Sequence, residues 1–177
     1  MHKLLLAGQF KVTHKRAKDY KKVNGVWVPS KWDILHEESF KNAITNEGKD
    51  HILDSTFDAA TQVTSWYFGL IDNAGFTALA AADTHASHAG WAESTAYDEA
   101  TRPEWAPGVA ASQSITNATA RDFTIDTNST VINGLFVASL STKGSTAAGT
   151  LWSTASFSAV RNVDDDDVLS IDYTVNA

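Results

Sequence analysis

The chain has no cysteine, three prolines and one methionine. Without cysteine it has no disulfide bonds, thiolate metal sites or cysteine nucleophiles, a composition typical of a protein made in a reducing cytoplasm. It has no apolar run of about 18 residues, so we expect no transmembrane helix, and the apolar stretch at the N-terminus is too short for a signal peptide. Nucleophile-elbow, dinucleotide-binding and P-loop motifs are also missing. We therefore expect a protein that is not an enzyme, has no cofactor and does not bind membranes.

The composition is that of a folded globular protein. Its 177 residues are 43% hydrophobic and 20% charged. This length suits one domain, or one domain with an arm. The net charge of −7 argues against nucleic acid as a partner of the whole domain.

Charge is distributed unevenly along the chain. Residues 1–50 hold ten Lys/Arg and six Asp/Glu, for a net charge of +4, while residues 51–177 carry −11. The basic residues are densest in one segment, made of Lys11, Lys15, Arg16, Lys18, Lys21 and Lys22. Such a segment indicates either an arm that meets an acidic partner or a solvated basic face. Tyr20 is the one aromatic residue inside it, so the segment is a poor stacking platform for nucleic acid.

The N-terminal part, residues 1–44, has the pattern of a basic arm or hairpin. We predict a strand over 4–13, a turn at Asn24-Gly25, and short strands over 26–28 and 32–36. Residues 45–177 form the second part. Thr45 is a candidate N-cap for an amphipathic helix over about 46–57, with an apolar side made of Ile52, Leu53 and Phe57.

The rest of the chain predicts a mainly β fold. A central strand is expected over 63–72, followed by a long ordered loop over 76–107. Further strands are expected over 114–116, 122–126, 130–140, 152–160 and 168–175, and the last of these alternates apolar and polar residues. We predict an antiparallel β-sandwich of jelly-roll or Greek-key type with one short helix.

Two clusters have metal-binding residue types. His85 and His88 share the spacing of one helical turn but lack a defined third ligand. The run from Asp164 to Asp167 is acidic but has no glycine and no EF-hand spacing. We predict no metal at either place: the histidines bond to loop backbone, and the acidic run is a solvated hairpin turn that discourages edge pairing.

Four tryptophans are candidate interface anchors beside the basic residues. Trp27 and Trp32 accompany the basic segment, and Trp91 and Trp105 stand in the polar loop. The loop pair could stack on a sugar or anchor a partner protein. The alternative for the loop pair is that it pins the loop to the sandwich, which we favour for Trp91.

Several runs resemble a known group of proteins. They are WYFGLIDNAGF at 66–76, AAADT at 80–84, SHAGW at 87–91 and YDEATRP at 97–103. With the helix near 45–54 and the strand near 169–175, the sequence resembles small virion structural proteins of tailed bacteriophages over most of residues 43–177. The shared runs are packing and loop motifs and carry no catalytic chemistry.

The resemblance implies a non-enzymatic virion protein, most closely a capsid decoration (cement) protein. Such a protein is made in the host cytoplasm and lies on the capsid surface. Its implied partners are the major capsid protein and other copies of itself. Two other functions remain open: a tail, neck or fibre component, and a carbohydrate-binding β-sandwich module for host attachment.

Overall fold

A computed structural model describes residues 6–177, so the first residues of the expected N-terminal strand lie outside the described part. The chain forms eleven strands and one helix among these residues. The strands are β1 (Ala7–Val23), β2 (Val26–Lys41), β3 (Ala43–Ile44), β4 (Trp66–Asp72), β5 (Glu93–Ser94), β6 (Glu104–Trp105), β7 (Ser114–Thr116), β8 (Arg121–Thr124), β9 (Thr130–Ala138), β10 (Leu151–Val163) and β11 (Val168–Asn176). The helix α1 (Asn46–Phe57) lies between β3 and β4.

Two antiparallel sheets form the predicted β-sandwich. The first has the order β2-β1-β11-β7, with β8 also paired to β11. The second has the order β3-β10-β9-β4-β5, with β6 also paired to β4. Apolar side chains of both sheets meet in one buried core. At its centre Phe68 of the second sheet meets Phe10 and Tyr173 of the first, each at a ring-centroid distance of 6.2 Å.

β1 and β2 are longer than the sequence predicts. They form one continuous hairpin closed at Asn24 and Gly25, which have φ angles of 49° and 86°. Positive φ at both central residues is what a two-residue hairpin turn needs, so the predicted Asn-Gly turn is confirmed. The expected strands over 26–28 and 32–36 are both parts of β2.

The base of the hairpin belongs to the sandwich. β1 pairs with β11 from Ala7 to Lys15, and Phe10 and Val12 are fully buried in the core. A boundary at residue 44 would therefore cut through the core, and the projecting part is confined to the far end of the hairpin.

α1 has the predicted bounds and cap. The Gly48 N–H donates to Thr45 Oγ1 at 3.0 Å, which satisfies one of the free donors at the helix start. The expected apolar side is partly wrong, because Leu53 and Phe57 are 54% and 81% exposed. Instead Gly48 is buried, and a side chain there would collide with the Trp152 backbone.

The long loop between β4 and β7 is ordered and held by buried aromatic side chains. It contains only the two-residue strands β5 and β6. The Trp91 indole N–H donates to Asp83 at 2.9 Å. The Trp105 indole N–H donates to the Tyr173 carbonyl at 3.2 Å. The Trp91 ring also packs on Phe136 of β9 at 5.1 Å, and β5 and β6 pair with β4, so the loop is fixed to both sheets.

Candidate interaction surface

Residues 18–31, which we call the distal hairpin, project from the sandwich. After Lys15, β1 has no strand partner other than β2 within the described residues. At about 3.3 Å per residue, the ribbon from Lys15 to Val23 is about 26 Å long. Isolated two-stranded ribbons are only marginally stable in water, so this one is a natural site for a partner.

The strand register gives the distal hairpin two distinct faces. Tyr20 pairs with Pro29 and Lys22 with Trp27, while Lys21 pairs with Val28 and Val23 with Val26. Directly paired residues share a face and alternate residues do not. One face is therefore aromatic with a lysine, and the other is aliphatic with a lysine. Trp27 is 65% exposed and Val26 is 64% exposed, and clustered exposed apolar residues of this kind mark interaction sites.

Most of the basic cluster is paired within the chain itself. Four of its six members form ion pairs with carboxylates: Lys11 with Glu37 at 3.1 Å, Lys15 with Asp122 at 3.3 Å, Lys18 with Asp33 at 3.0 Å, and Arg16 with Asp164 at 2.8 Å and with Asp167. Lys21 and Lys22 make no ion pair with any residue between 6 and 177. The charge left for a partner is thus concentrated at the tip, whereas Lys11, Lys15, Arg16 and Lys18 meet carboxylates of the chain itself.

Asp167 forms a buried anchor under the base of the hairpin. Its carboxylate is fully buried and accepts hydrogen bonds from Arg16 at 2.7 Å, from His14 Nε2 at 2.9 Å and from the Asp164 N–H at 3.0 Å. Burial raises the pKa of Asp167, but the hydrogen bonds from Arg16, Asp164 and His14 outweigh it and lower the pKa to about 2. The cluster ties β1 to the turn before β11.

This anchor corrects the interpretation of the acidic run as a solvated turn. Asp165 and Asp166 are exposed, but Asp167 is buried and Asp164 accepts from the Ser129 N–H at 3.1 Å. The run does form the turn between β10 and β11. Among residues 6–177, no group of three or more potential metal ligands is close enough to hold a metal ion.

His85 uses both ring nitrogens within the chain. Nδ1 lies 2.8 Å from the Ala147 carbonyl, and Nε2 lies 2.9 Å from Arg102 Nη1. A carbonyl only accepts and a guanidinium only donates, so Nδ1 carries the proton and the ring is neutral. Burial, with the Arg102 charge, lowers the pKa of His85. His88 bonds to the Trp91 carbonyl at 2.9 Å and stacks on that indole at 3.8 Å.

Arg102 is the centre of a buried polar network that sequence reasoning missed. It is 2% exposed and forms two parallel hydrogen bonds to Glu93, at 2.8 and 2.7 Å. It also donates to the Leu140 carbonyl at 2.9 Å. These contacts join the long loop to the β9–β10 connection. The partners of Arg102 lie on different segments of the chain, so no local sequence pattern predicts the network.

The four tryptophans divide into two groups. Trp27 is exposed, and Trp32 is partly exposed with the Lys15 ammonium 5.2 Å from its ring centroid. Trp91 and Trp105 are only 5% and 7% exposed. The favoured interpretation of Trp91, that it pins the loop to the sandwich, is confirmed, and the alternative of a surface anchor is wrong for Trp105 as well, because both rings fill the interior.

An open apolar cavity of about 210 Å³ lies beside α1. Trp66, Trp105 and Trp152 line it, and its polar side chains are His51, Ser55 and Gln62. The exposed surface of the lining is mostly apolar, which suits an apolar group better than a sugar.

Comparison with known proteins leaves the family open. The sequence matches no protein-family model, and no curated protein is similar to it. None of the helices formed by residues 6–177 is long and apolar enough to cross a membrane.

Proposed function

We propose that this chain is a non-enzymatic structural virion protein of a tailed bacteriophage, and specifically a capsid decoration protein. It attaches to the outside of the major capsid protein shell. The resemblance over residues 43–177 supports the class. The observation that carries the attachment is the distal hairpin, with its exposed aromatic and aliphatic faces and its two lysines outside any ion pair with residues 6–177.

The distal hairpin has the composition of a binding element. The few residues that dominate binding energy at protein interfaces are enriched in Trp and Tyr, and truncation of one of these weakens binding by about 2 kcal/mol or more. Trp27 and Tyr20 lie on the same face with Lys22 beside them. An acidic capsid surface would attract the lysines and cover the rings, so affinity comes mainly from the rings and orientation from the charges.

In this proposal the buried polar side chains stabilise the fold and take no part in attachment. His85, Arg102 and Asp167 are buried and bonded to protein partners. Trp91 and Trp105 are buried as well, so the loop offers no exposed indole for a sugar. These placements favour attachment over catalysis or glycan binding.

The test is a shortened hairpin. Removing residues 1–25 would delete Phe10 and Val12 from the core, so that truncation would unfold the protein. Replacing residues 18–31 by Asn-Gly instead joins Ala17 to Trp32, which are already paired across the hairpin. The control is Val109→Ser, since Val109 is 97% exposed and lies far along the chain from the hairpin.

The assay is co-sedimentation with undecorated shells of the phage that encodes the chain. We expect the shortened protein to keep its melting temperature and to lose at least tenfold in affinity, while Val109→Ser binds like the wild type. Undiminished binding of the shortened protein would contradict the hairpin's role. Copy number in purified virions tests the class: hundreds per particle support decoration, a dozen or fewer indicate a tail or neck component, and absence rejects a virion role.

A further inference from the structure

The outer side of α1 is a second apolar surface, and no other residue between 6 and 177 covers it. Leu53 and Phe57 are 54% and 81% exposed, and their i, i+4 spacing puts them side by side on the helix. Asp50 and Asp54 are next to them on the same side. Asp50, Asp54 and the C-cap Asp58 are exposed, and Lys49 is the one lysine or arginine of the helix, so this outer side of α1 is apolar and acidic.

The distal hairpin is complementary to the outer side of α1. The hairpin is apolar and basic, with Trp27 beside Lys22 on one face and Val26 beside Lys21 on the other. The helix is apolar and acidic. Joining them would cover large exposed side chains on both surfaces and pair lysines with aspartates, a combination that favours specific association.

The two surfaces of one molecule cannot meet. The hairpin turn at Asn24-Gly25 and the start of α1 are separated by the whole of β2, Val26–Lys41, which runs as an extended strand. At about 3.3 Å per residue, an extended β2 spans about 50 Å, whereas α1 is only about 18 Å long and so too short to bring Leu53 and Phe57 back to the tip. The tip of one copy is therefore available only to the helix of another copy.

We infer that the distal hairpin of one copy docks on the outer side of α1 of a second copy. The contact joins two different surfaces, so two copies that exchange it reciprocally close a twofold dimer, and copies that pass it on in one direction build rings or open chains. This inference rests on the proposed function and adds a lateral contact between neighbouring copies. The aliphatic face with Lys21 makes this contact, which leaves the aromatic face with Lys22 for the shell.

The experiment is a charge exchange followed by sedimentation velocity of the purified full chain over a range of concentrations. Lys21→Glu with Lys22→Glu reverses the charge of the hairpin tip. Asp50→Lys with Asp54→Lys reverses the charge of the outer side of α1. We expect the wild type to form larger species as concentration rises and each reversed variant to remain monomeric. Mixing the two reversed variants restores association, because tip-reversed and helix-reversed molecules then match each other.

The control reverses two carboxylates elsewhere on the body, Asp98→Lys with Asp165→Lys; both are exposed. This variant should associate like the wild type, and raised salt should weaken association of the wild type. A monomeric wild type at all concentrations, or reversed variants that associate normally or fail to rescue each other, would overturn the inference. If self-association fails but the protein still binds shells, only this inference is rejected and the proposed function stands. If the protein self-associates normally but does not bind shells, only the proposed decoration function is rejected.

Discussion

Replacement of Asp167 by Asn should destabilise the fold in a way that depends on pH. Asn keeps the shape of the carboxyl group but removes its charge from between Arg16 and His14. The ordinary pKa of 3.8 falls to about 2 in the fold, and this difference corresponds to about 2.5 kcal/mol of stability at neutral pH. The Arg16 side chain is half exposed, so the loss of about 3–5 kcal/mol typical of a fully buried ion pair is an upper limit.

The lowered pKa of Asp167 determines how the difference in stability between the two proteins changes with pH. The unfolded chain takes up a proton at Asp167 near pH 4, whereas the folded chain does so only near pH 2. The stabilisation is therefore complete above about pH 5 and is lost as the pH falls toward 2. We expect the wild type and Asp167→Asn to differ most at pH 7 and to converge at low pH.

The measurement is urea unfolding of both proteins at several pH values between 7 and 2.5, with Asp165→Asn as the matched control. Asp165 is exposed in the same turn, so its replacement should change stability by less than about 0.5 kcal/mol. Because other carboxylates titrate equally in both proteins, their effects cancel in the difference. A difference that is absent at pH 7, or that stays constant as the pH falls, would refute the reasoning.

Three further substitutions test the packing and the turn. Arg102→Met leaves the buried Glu93 carboxylate without its partner, and we expect a loss of about 3–5 kcal/mol in chemical unfolding; a change under 1 kcal/mol would contradict the role given to this network. Gly69→Ala places a methyl group against the Phe136 ring, so overpacking should lower stability by about 1–3 kcal/mol in the same assay, and an unchanged value would show that the ring moves freely. Gly25→Ala strains a residue with φ of 86° by about 1 kcal/mol; amide exchange should speed up in the distal hairpin while the melting temperature stays nearly unchanged, and a drop of many degrees would contradict the independence of the tip.

Local sequence signals predicted the elements whose causes are local. Thr45 caps α1 through its own side chain, and Asn24-Gly25 supplies the positive φ angles of the turn. β11 alternates because one face lies on the core: Leu169, Ile171 and Tyr173 are fully buried. In each case the residues that cause the structure are within a few positions of it.

The length of the hairpin was not predictable in the same way. From Lys15 to Val23 the strand has no core on either side, so no alternation of apolar and polar residues marks it. Cross-strand pairs hold it instead, such as Asp19 with Lys31 at 3.2 Å. The apolar run Val26-Trp27-Val28 next to the turn was the one signal that the tip carries exposed apolar side chains.

The candidate site was predicted in part. The sequence predicted that Trp27 and the lysines lie on a hairpin. It did not predict which carboxylates pair with those lysines. Arg16 and Asp167 are 151 residues apart, and a charge count cannot show that one neutralises the other. Burial of Trp91 and Trp105 likewise depends on how the long loop folds back on the sheets.

The buried anchor and the exposed tip have separate energetic roles along one strand. His14 and Arg16 bond to Asp167 where β1 leaves the sheet, so this cluster fixes the direction in which the hairpin projects. Beyond it the ribbon contributes little to the core and is free to carry side chains that suit a partner. Changes at the tip should therefore alter binding and leave stability nearly unchanged, while changes at the anchor lower stability and weaken binding indirectly by loosening the base of the hairpin. This division lets a small sandwich carry an attachment element of about 17 Å, from Lys18 to Val23, without weakening its own fold.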